Sequence, residues 1–294
     1  MNTSLLQLNI SQLNQLPCFA RIDSITPLNS GLSCTSYKVQ TQEGCFFAKY
    51  SANTHNNAIA AINTNSAAAT AGFAAKVIYS DQHWFVSEYI NGIELKNVAL
   101  TLNEKINIAV KLMGQCHQLT FDKSTLNKLN SVKLIQAQLS SNLFTQQQGE
   151  IIENFCRNIS IDTSTNVLVT CHGDLNFSNI LCTNTSQNIS YLVDFDCVCL
   201  APIEYDIAML LAVNSIEQKA LPAVIASYQK QHNLIINNKA VMRYLSFCYI
   251  INGLWYIAQA EQQNNPLLTR YAHQQFMLFD QLDIINTSLY RLMR

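Results

Sequence analysis

The sequence predicts an α+β fold in which a small β-rich lobe is followed by a large, mainly helical lobe. The first ninety residues combine short strand-like runs with one Ala-rich segment, whereas the residues after Gly92 follow mainly helical patterns. Hydrophobic residues make up 49% of the 294 residues, which is enough to bury a large core. We therefore expect an N-terminal lobe over residues 1–90, a C-terminal lobe over 91–294, and a short hinge at 88–92.

The elements of the first lobe are indicated by alternation and by turn residues. Residues 37–41 alternate in polarity and a second strand runs over 45–50 after a turn, which predicts a hairpin. Residues 56–71 are rich in Ala, contain no Pro and end before Gly72, so we expect a helix. Two further strands are predicted at 77–79 and 83–90.

The second lobe begins with an amphipathic segment, 102–119, whose start, Thr101-Leu102-Asn103-Glu104, has the pattern of a capping box. One or two helices are predicted over 131–159. Short apolar runs at 167–170 and 189–195 predict strands on either side of an irregular loop. Further helices are predicted at 203–217, 221–231, 238–262 and 266–292.

The charge balance argues against two classes of partner. The formal net charge is −1 and charged residues make up only 13% of the chain, so there is neither a basic stripe for nucleic acid nor a polybasic membrane anchor. The longest apolar run, 245–260, is too short and too polar to cross a bilayer. The N-terminus shows no secretory signal pattern. We expect a cytoplasmic protein without a nucleic-acid or membrane partner.

Ten cysteines lie mostly among apolar neighbours, without the spacing of a disulfide framework. Neither Cys-x-x-Cys nor His-Glu-x-x-His occurs, so no zinc motif is indicated. We interpret the pair Cys197 and Cys199 as two small core residues. Reduced core cysteines are therefore expected, as in a cytoplasmic protein.

The residues that predict chemistry lie in CHGDLNFSNIL at 171–181 and YLVDFD at 191–196. Phosphoryl transfer needs one carboxylate to accept or orient the proton of an attacking hydroxyl. It also needs an amide and a second carboxylate to hold Mg²⁺ against the nucleotide phosphates. We expect strand 180–182 to pair with 189–194. That hairpin would bring together three polar side chains, Asp174, Asn179 and Asp194.

These two segments resemble the catalytic signature of the aminoglycoside phosphotransferase and choline kinase superfamily. Four more segments are similar to this family, in the right order: LNSGLSCTSYKV (28–39), FFAKY (46–50), VSEYINGIEL (86–95) and PIEYDIAML (202–210). The resemblance covers roughly residues 28–260 and is strongest to the choline, ethanolamine and thiamine kinase-like branch. It implies a small-molecule kinase with a protein-kinase-like two-lobe fold.

The resemblance implies a role for each matching residue of the catalytic segments. Asp174 would be the catalytic base or the carboxylate that orients the acceptor hydroxyl. Asn179 and Asp194 would bind Mg²⁺. His172 and Asp206 would be structural supports of the loop rather than acids or bases.

The same resemblance implies how ATP would be bound. Lys49 would contact the α- and β-phosphates. Ser33 and Thr35, with Cys34 between them, would lie over the phosphates in place of a glycine-rich loop. The adenine would be held by backbone groups of the hinge, at Glu88, Tyr89 and Ile90.

The chain departs from the family pattern around Lys49. No Asp or Glu occurs between Glu43 and Asp81, so the predicted helix at 56–71 cannot supply the glutamate that relatives pair with this lysine. Three partners remain open for Lys49: Asp194, the nucleotide phosphates alone, or a carboxylate from elsewhere in the chain.

The leading hypothesis is an ATP-dependent, Mg²⁺-dependent phosphotransferase that acts on the hydroxyl of a small molecule. A protein acceptor is disfavoured because only twelve positions separate Asp194 from Asp206, too few for a long activation segment. The segment 247–260 is similar to the acceptor-pocket segment of choline and thiamine kinases. An aromatic face there would attract a cationic alcohol through a cation–π interaction.

We therefore expect Trp255 and Tyr244 to contact the acceptor and Glu261 to add negative charge, although Tyr244 fits a core position equally well. The acceptor would resemble choline, ethanolamine or thiamine, and the NSGLS segment at 29–33 slightly favours thiamine. An aminoglycoside-type phosphotransferase is an alternative, but Glu217 and Glu261 are the only carboxylates from 207 to 279. A catalytically weak nucleotide-binding protein on the same fold is a second alternative, favoured by the missing helix glutamate.

Overall fold

The computed structural model describes residues 9–28, 34–51, 57–139, 145–159, 167–183, 189–232 and 234–282. The chain divides into two compact units. The first takes its residues from Met1–Val98, Leu119–Thr125 and Ile180–Asp196, and the second from Ala99–Gln118, Leu126–Asn179 and Cys197–Arg294. A β-sheet unit and a helical unit confirm the predicted α+β class.

The first unit contains a five-stranded antiparallel sheet in the order β1-β2-β3-β5-β4. Its strands are β1 (Ser24–Leu28), β2 (Thr35–Thr41), β3 (Gly44–Tyr50), β4 (Val77–Ser80) and β5 (Trp84–Glu88). The predicted hairpin and the two later strands are confirmed, while β1 was not predicted. Alternate residues of the central strands form the core, among them Tyr37, Val39, Ala48, Trp84 and Val86.

The predicted Ala-rich helix is α1 (Ala58–Thr70), which follows β3 in the chain. Gly72 ends it with a φ of +86°, a left-handed conformation that most residues avoid. Its buried face is polar in part, since the Asn65 side chain donates to the Ala75 carbonyl at 2.8 Å. The helix contains no acidic residue, as the sequence required.

A second, three-stranded sheet explains why 180–196 belongs to the first unit. Strand β8 (Ile180–Cys182) pairs with β6 (Ile93–Glu94) on one side and β9 (Ser190–Leu192) on the other. The Leu192 amide also donates to the Phe73 carbonyl at 2.8 Å. The sequence-based division at residues 90 and 91 assigns this hairpin to the second lobe, because pairing between segments so far apart in sequence leaves no local signal.

The second unit is mainly helical. Its helices are α2 (Leu102–His117), α3 (Ser131–Leu139), α4 (Gln146–Ile159), α5 (Ile203–Val213), α6 (Leu221–His232), α7 (Asn238–Gln263) and α8 (Pro266–Asp280). Two short strands, β7 (Val169–Cys171) and β10 (Cys199–Ala201), pair antiparallel. The predicted capping box is confirmed at Thr101 and Glu104.

Helices α7 and α8 are packed closely against each other. A Cβ atom at Gly253 would lie 2.5 Å from the Phe276 ring, so glycine permits this approach. The predicted helix at 203–217 is too long, since α5 ends at Val213 and Asn214 takes part in loop hydrogen bonds. The end of the predicted helix at 266–292 lies outside the described residues beyond 282.

No helix in the described residues is long and apolar enough to span a membrane. Nine of the ten cysteines have side chains that the structure describes, and these nine are thiols rather than disulfides. Cys199 is buried as expected, but Cys197 is exposed, so the interpretation of this pair as two core residues is wrong for Cys197. The reason is local: Cys197 ends a 3₁₀ turn whose buried anchor is Phe195.

Candidate active site

Lys49 lies between two carboxylates of the first unit, and these three residues are called the lysine cluster. The Lys49 Nζ is 2.8 Å from Asp194 Oδ1 and 2.6 Å from Asp196 Oδ2. The Lys49 side chain is 14% exposed, whereas those of Asp194 and Asp196 are 44% and 35% exposed. Of the partners left open by the sequence, the structure therefore gives Asp194 together with a second carboxylate, Asp196.

The backbone after β9 turns both carboxylates toward the same lysine. Asp194 has a φ of +65°, which is uncommon for a residue with a side chain, and such strain concentrates at functional sites. Phe195 then buries its ring, being 3% exposed. Burial alone lowers the pKa of Lys49, but the opposing charges of Asp194 and Asp196 raise it well above its ordinary value. Lys49 therefore keeps its charge at neutral pH.

A neutral contact links helix α1 to this segment. Asn57, which precedes α1, donates from Nδ2 to the backbone carbonyl of Asp196 at 2.9 Å. The residue that precedes α1 thus contacts the backbone at Asp196 through a neutral amide rather than through a carboxylate.

The loop predicted to be catalytic, residues 172–179, follows β7 and belongs to the second unit. Asn179 Nδ2 donates to the Asp174 carboxylate Oδ2 at 2.9 Å and to the Asp174 carbonyl at 3.0 Å. A 3₁₀ turn, Phe177–Asn179, makes this return possible. Two of the predicted functional residues, Asp174 and Asn179, are therefore directly hydrogen-bonded.

The buried carboxylate of Asp206 supports the start of this loop. Asp206 and the two side chains linked to it, His117 and Tyr228, are called the Asp206 network. Asp206 Oδ2 accepts from the His172 amide at 2.8 Å, and Oδ1 accepts from the Gly173 amide at 2.9 Å. His117 Nε2 is 3.0 Å from Asp206 Oδ2, and His117 Nδ1 is 2.8 Å from the Tyr228 hydroxyl. Asp206 and His172 are both 0% exposed.

Gly173 is required at its position for two reasons. Its φ is +77°, and a Cβ atom there would clash with the Cys197 carbonyl oxygen. The next amide, that of Asp174, donates to His172 Nδ1 at 3.3 Å. His172 is therefore buried, and its ring accepts a hydrogen bond from the loop backbone.

The far end of the loop is held by Asn214. Its Oδ1 accepts from the Phe177 amide at 2.8 Å, and its Nδ2 donates to the Leu175 carbonyl at 2.9 Å. Nothing in the sequence distinguishes Asn214 from an ordinary residue at a helix end.

The predicted hinge residues differ in how they use their backbone amides. The Glu88 amide donates to the Lys76 carbonyl and the Tyr89 amide to the Cys45 carbonyl, both at 3.0 Å. Among Glu88, Tyr89 and Ile90, only Ile90 keeps its N–H out of hydrogen bonds with other described residues. Of the three predicted hinge residues, Ile90 is therefore the one whose amide remains available as a donor.

The structure describes only some of the residues that are predicted to lie over the phosphates. Thr35 begins β2 opposite Tyr50, at the end of the hairpin. The Cys34 thiol lies 3.9 Å from the Ser51 hydroxyl. Ser33 and the rest of the NSGLS segment lie outside the described residues.

Three aromatic side chains form a contiguous group on α7 and α8. The Trp255 and Tyr256 ring centroids are 5.2 Å apart in an edge-on arrangement, and those of Tyr256 and Tyr271 are 5.6 Å apart. Trp255 and Tyr256 are half-buried and Tyr271 is exposed. Burial, with the negative charge of Asp174, raises the pKa of Tyr256.

Two predicted acceptor residues are placed elsewhere. Tyr244 is 4% exposed and packs edge-on against Tyr205 with centroids 5.8 Å apart, so its position is that of a core residue. Glu261 is exposed and lies six residues after Trp255, about 120° around the helix at 100° per residue. Neither side chain therefore belongs to the aromatic group.

Four residues that shape these sites were not predicted from the sequence. Asp196 was read only as part of the Asp-Phe-Asp signature, and its spacing of two from Asp194 could have indicated it. Tyr256 was not singled out, although it directly follows Trp255 in the sequence. His117 and Asn214 gave no signal, because their partners lie far away in sequence.

Residues 24–245 match the model of the phosphotransferase enzyme family APH. The chain belongs to this family, which confirms the resemblance stated from the motifs. No curated protein is a significant match to the sequence.

Solved structures with the same fold include kinases of two kinds. A choline/ethanolamine kinase family protein from Mesorhizobium loti has a TM-score of 0.69 at 17% identity, covering 98% of this chain and 99% of the other. Choline kinase from Streptococcus pneumoniae has a TM-score of 0.69 at 16% identity, with coverage of 93% and 98%. A spectinomycin phosphotransferase in complex with ADP and spectinomycin has a TM-score of 0.62 at 13% identity, with coverage of 98% and 97%.

Proposed function

We propose that the chain transfers the γ-phosphoryl group of ATP to the hydroxyl of a small, cationic alcohol in a Mg²⁺-dependent reaction. The observation that carries this proposal is the hydrogen-bonded pair of Asp174 and Asn179 on a loop held by a buried carboxylate. Family membership and the similarity to a phosphotransferase with bound ADP support the use of a nucleotide.

The donor atoms suit a magnesium ion. Mg²⁺ prefers oxygen ligands and is held in kinases by a carboxylate and an amide together with the phosphates. The Asn179 side chain commits its nitrogen to Asp174, which leaves Oδ1 as its acceptor atom. Asp194 is 44% exposed, so one of its oxygens can bind a cation. When bound, Mg²⁺ would neutralise phosphate charge, and Asn179 and Asp194 would hold it.

The chain's own residues would do the rest. Asp174 would accept or orient the proton of the acceptor hydroxyl, because it is the loop carboxylate that Asn179 and the buried supports fix in place. Lys49 would bind the nucleotide phosphates with a permanently charged ammonium. Ile90 would donate its amide to the adenine, and Thr35 would lie near the phosphates.

The aromatic group supports a cationic acceptor. An ammonium or thiazolium cation over the face of Trp255 or Tyr256 would gain about 1–2 kcal/mol when desolvated. Asp174 adds negative charge to the same environment, since it raises the pKa of Tyr256. Choline, ethanolamine and thiamine all combine a positive charge with a hydroxyl.

An aminoglycoside-type acceptor is the second candidate. The similarity to the spectinomycin phosphotransferase favours it. The scarcity of carboxylates from 207 to 279 disfavours it, because a polycation needs several acidic partners.

An acceptor panel tests the proposal. Purified protein would be incubated with ATP, with and without Mg²⁺, and with choline, ethanolamine, thiamine, spectinomycin or a neutral alcohol, and ADP formation would be followed. We expect ADP formation that needs both Mg²⁺ and one of the cationic alcohols. Turnover with spectinomycin alone would favour the second candidate. No acceptor-dependent turnover with any member of the panel would contradict the proposal.

A further inference from the structure

We propose that Asp196 is the positioning residue for Lys49 and replaces the helix glutamate that related kinases use. This inference rests on the proposed function, because it concerns how the chain would hold ATP. If Asp196 positions Lys49, the chain does not need a glutamate on helix α1. The absence of that glutamate then no longer favours a catalytically weak protein.

The contact geometry assigns this role to Asp196. Asp196 Oδ2 lies 2.6 Å from Lys49 Nζ, closer than Asp194 Oδ1 at 2.8 Å. The lysine is largely buried, at 14% side-chain exposure, so its ammonium has few positions available. Charge-assisted hydrogen bonds of this length are stronger than neutral ones. Within the described chain, these two aspartates are the carboxylates within 4.0 Å of Lys49.

The backbone at Asp196 is fixed independently of its carboxylate. Residues Phe195–Cys197 form a 3₁₀ turn with Phe195 buried at its start. Asn57 donates to the Asp196 carbonyl at 2.9 Å. The Asp196 side chain therefore extends from a held segment, as a positioning residue requires. A change from Asp to Asn there alters the charge and leaves these backbone contacts intact.

The two aspartates of the lysine cluster are expected to have different roles. Asp194 is the residue proposed to hold Mg²⁺, and a carboxylate oxygen bound to a divalent cation is a poorer acceptor for an ammonium. Asp196 then remains as the carboxylate that keeps Lys49 in place. Asp194 would act in metal binding and Asp196 in lysine positioning.

The test is a set of variants measured for ATP binding as well as for turnover. Asp196→Asn, Asp196→Glu, Asp194→Asn and Lys49→Met would be compared with the double variant Lys49→Met/Asp196→Asn. Asp23→Asn is the matched control, because Asp23 is an exposed carboxylate of the same unit whose cation, Arg21, is 3.9 Å away. The dissociation constant for ATP would be measured by calorimetry, and the Mg²⁺ requirement by titration.

We expect Asp196→Asn to weaken ATP binding about fivefold and to lower kcat/KM for ATP about tenfold, with Asp196→Glu recovering part of the loss. In the Lys49→Met background, the same change should alter either value by less than about twofold, since the partner is gone. The Mg²⁺ requirement should rise in Asp194→Asn and stay unchanged in Asp196→Asn. Asp23→Asn should match the wild type.

Three results would overturn the inference. The first is unchanged ATP binding and turnover in Asp196→Asn. The second is an effect of Asp196→Asn on ATP binding or kcat/KM that is as large in the Lys49→Met background as in the wild type. That result would show that Asp196 acts independently of Lys49. The third is a raised Mg²⁺ requirement in Asp196→Asn, which would make it a metal ligand. Failure of the wild-type protein to bind ATP would overturn the proposed function as well, whereas normal binding by both wild type and Asp196→Asn overturns this inference alone.

Discussion

In the lysine cluster, two carboxylates share one ammonium and remain more than a third exposed. In the Asp206 network, one carboxylate with no exposed surface is held by two backbone amides and an imidazole. No lysine or arginine in the described ranges lies within 4.0 Å of Asp206. Both oxygens of Asp206 accept hydrogen bonds from the protein, whereas Asp194 and Asp196 keep exposed surface that a ligand can contact.

The role of a carboxylate thus depends on whether it is buried and bonded to backbone amides or partly exposed and paired with a lysine. A buried carboxylate with its hydrogen bonds made by the backbone fixes the conformation of that backbone, and removing it leaves buried donors unpaired. A carboxylate paired with a lysine at a partly exposed position contributes little to stability but can exchange its partner. We therefore expect changes in the lysine cluster to lower activity but not stability. Changes in the Asp206 network should lower both.

Among the residues expected to contact the nucleotide, metal or acceptor without acting as the base, the largest effect on activity is expected at the proposed metal ligands. Asp194→Asn and Asn179→Ala should lower Mg²⁺-dependent turnover at least about 100-fold, because metal stabilisation of phosphate charge contributes several kcal/mol. The melting temperature of Asp194→Asn should change little. Turnover within a few-fold of wild type at saturating Mg²⁺ would remove these residues from the metal site.

The largest effect on stability is expected at Asp206. Asp206→Ala leaves the His172 and Gly173 amides and the His117 ring without their partner, and should cost about 3–5 kcal/mol. Tyr228→Phe removes only the outer hydroxyl and should cost about 1–2 kcal/mol. Urea unfolding measures both. Equal, small costs for the two variants would contradict the supporting role of Asp206.

Lys49 should show the intermediate behaviour of a ligand-binding residue. Lys49→Met should lower kcat/KM for ATP about 10- to 100-fold, as expected for loss of a charged hydrogen-bond donor worth about 1.5–3 kcal/mol. The KM for the acceptor should be unchanged. Lys111→Met, at an exposed position on α2, is the control. An unchanged ATP dependence would make Lys49 an ordinary strand residue.

The smallest of these effects is expected at the aromatic group. Trp255→Ala should raise the KM of a cationic acceptor about tenfold, because about 1.4 kcal/mol of cation–π attraction is lost. Comparing choline with 3,3-dimethyl-1-butanol, its neutral analogue, isolates the charge. The preference for the cation should shrink in Trp255→Ala and persist in Leu267→Ala, a change of an exposed apolar residue on α8. An unchanged preference in Trp255→Ala would separate this residue from acceptor binding.

Local patterns in the sequence predicted the local structure well. The hairpin at β2 and β3, the Ala-rich helix α1 and the capping box at Thr101 each depend on neighbouring residues. Strand β1 was missed because it contains Pro27, which disfavours a strand except at an edge, and β1 is an edge strand.

The parts that were not predicted depend on partners far away in the chain. Asp196 meets Lys49 across 147 positions, and His117 meets Asp206 across 89. The type of a residue alone does not predict which distant residue it will contact. The motif containing Asp174 and Asn179 was recognisable because their contact spans only five positions.

Turnover by Asp174→Asn tests the central claim most directly. The measurement is phosphorylated acceptor formed per minute, detected by mass spectrometry, alongside the melting temperature of the same sample. Asp122→Asn, a carboxylate in an exposed local turn, is the control. We predict a loss of about 100- to 10,000-fold with an unchanged melting temperature, as expected when a general base is removed. Product formation within a few-fold of wild type would contradict the assignment of Asp174 and, with it, the catalytic role of the loop.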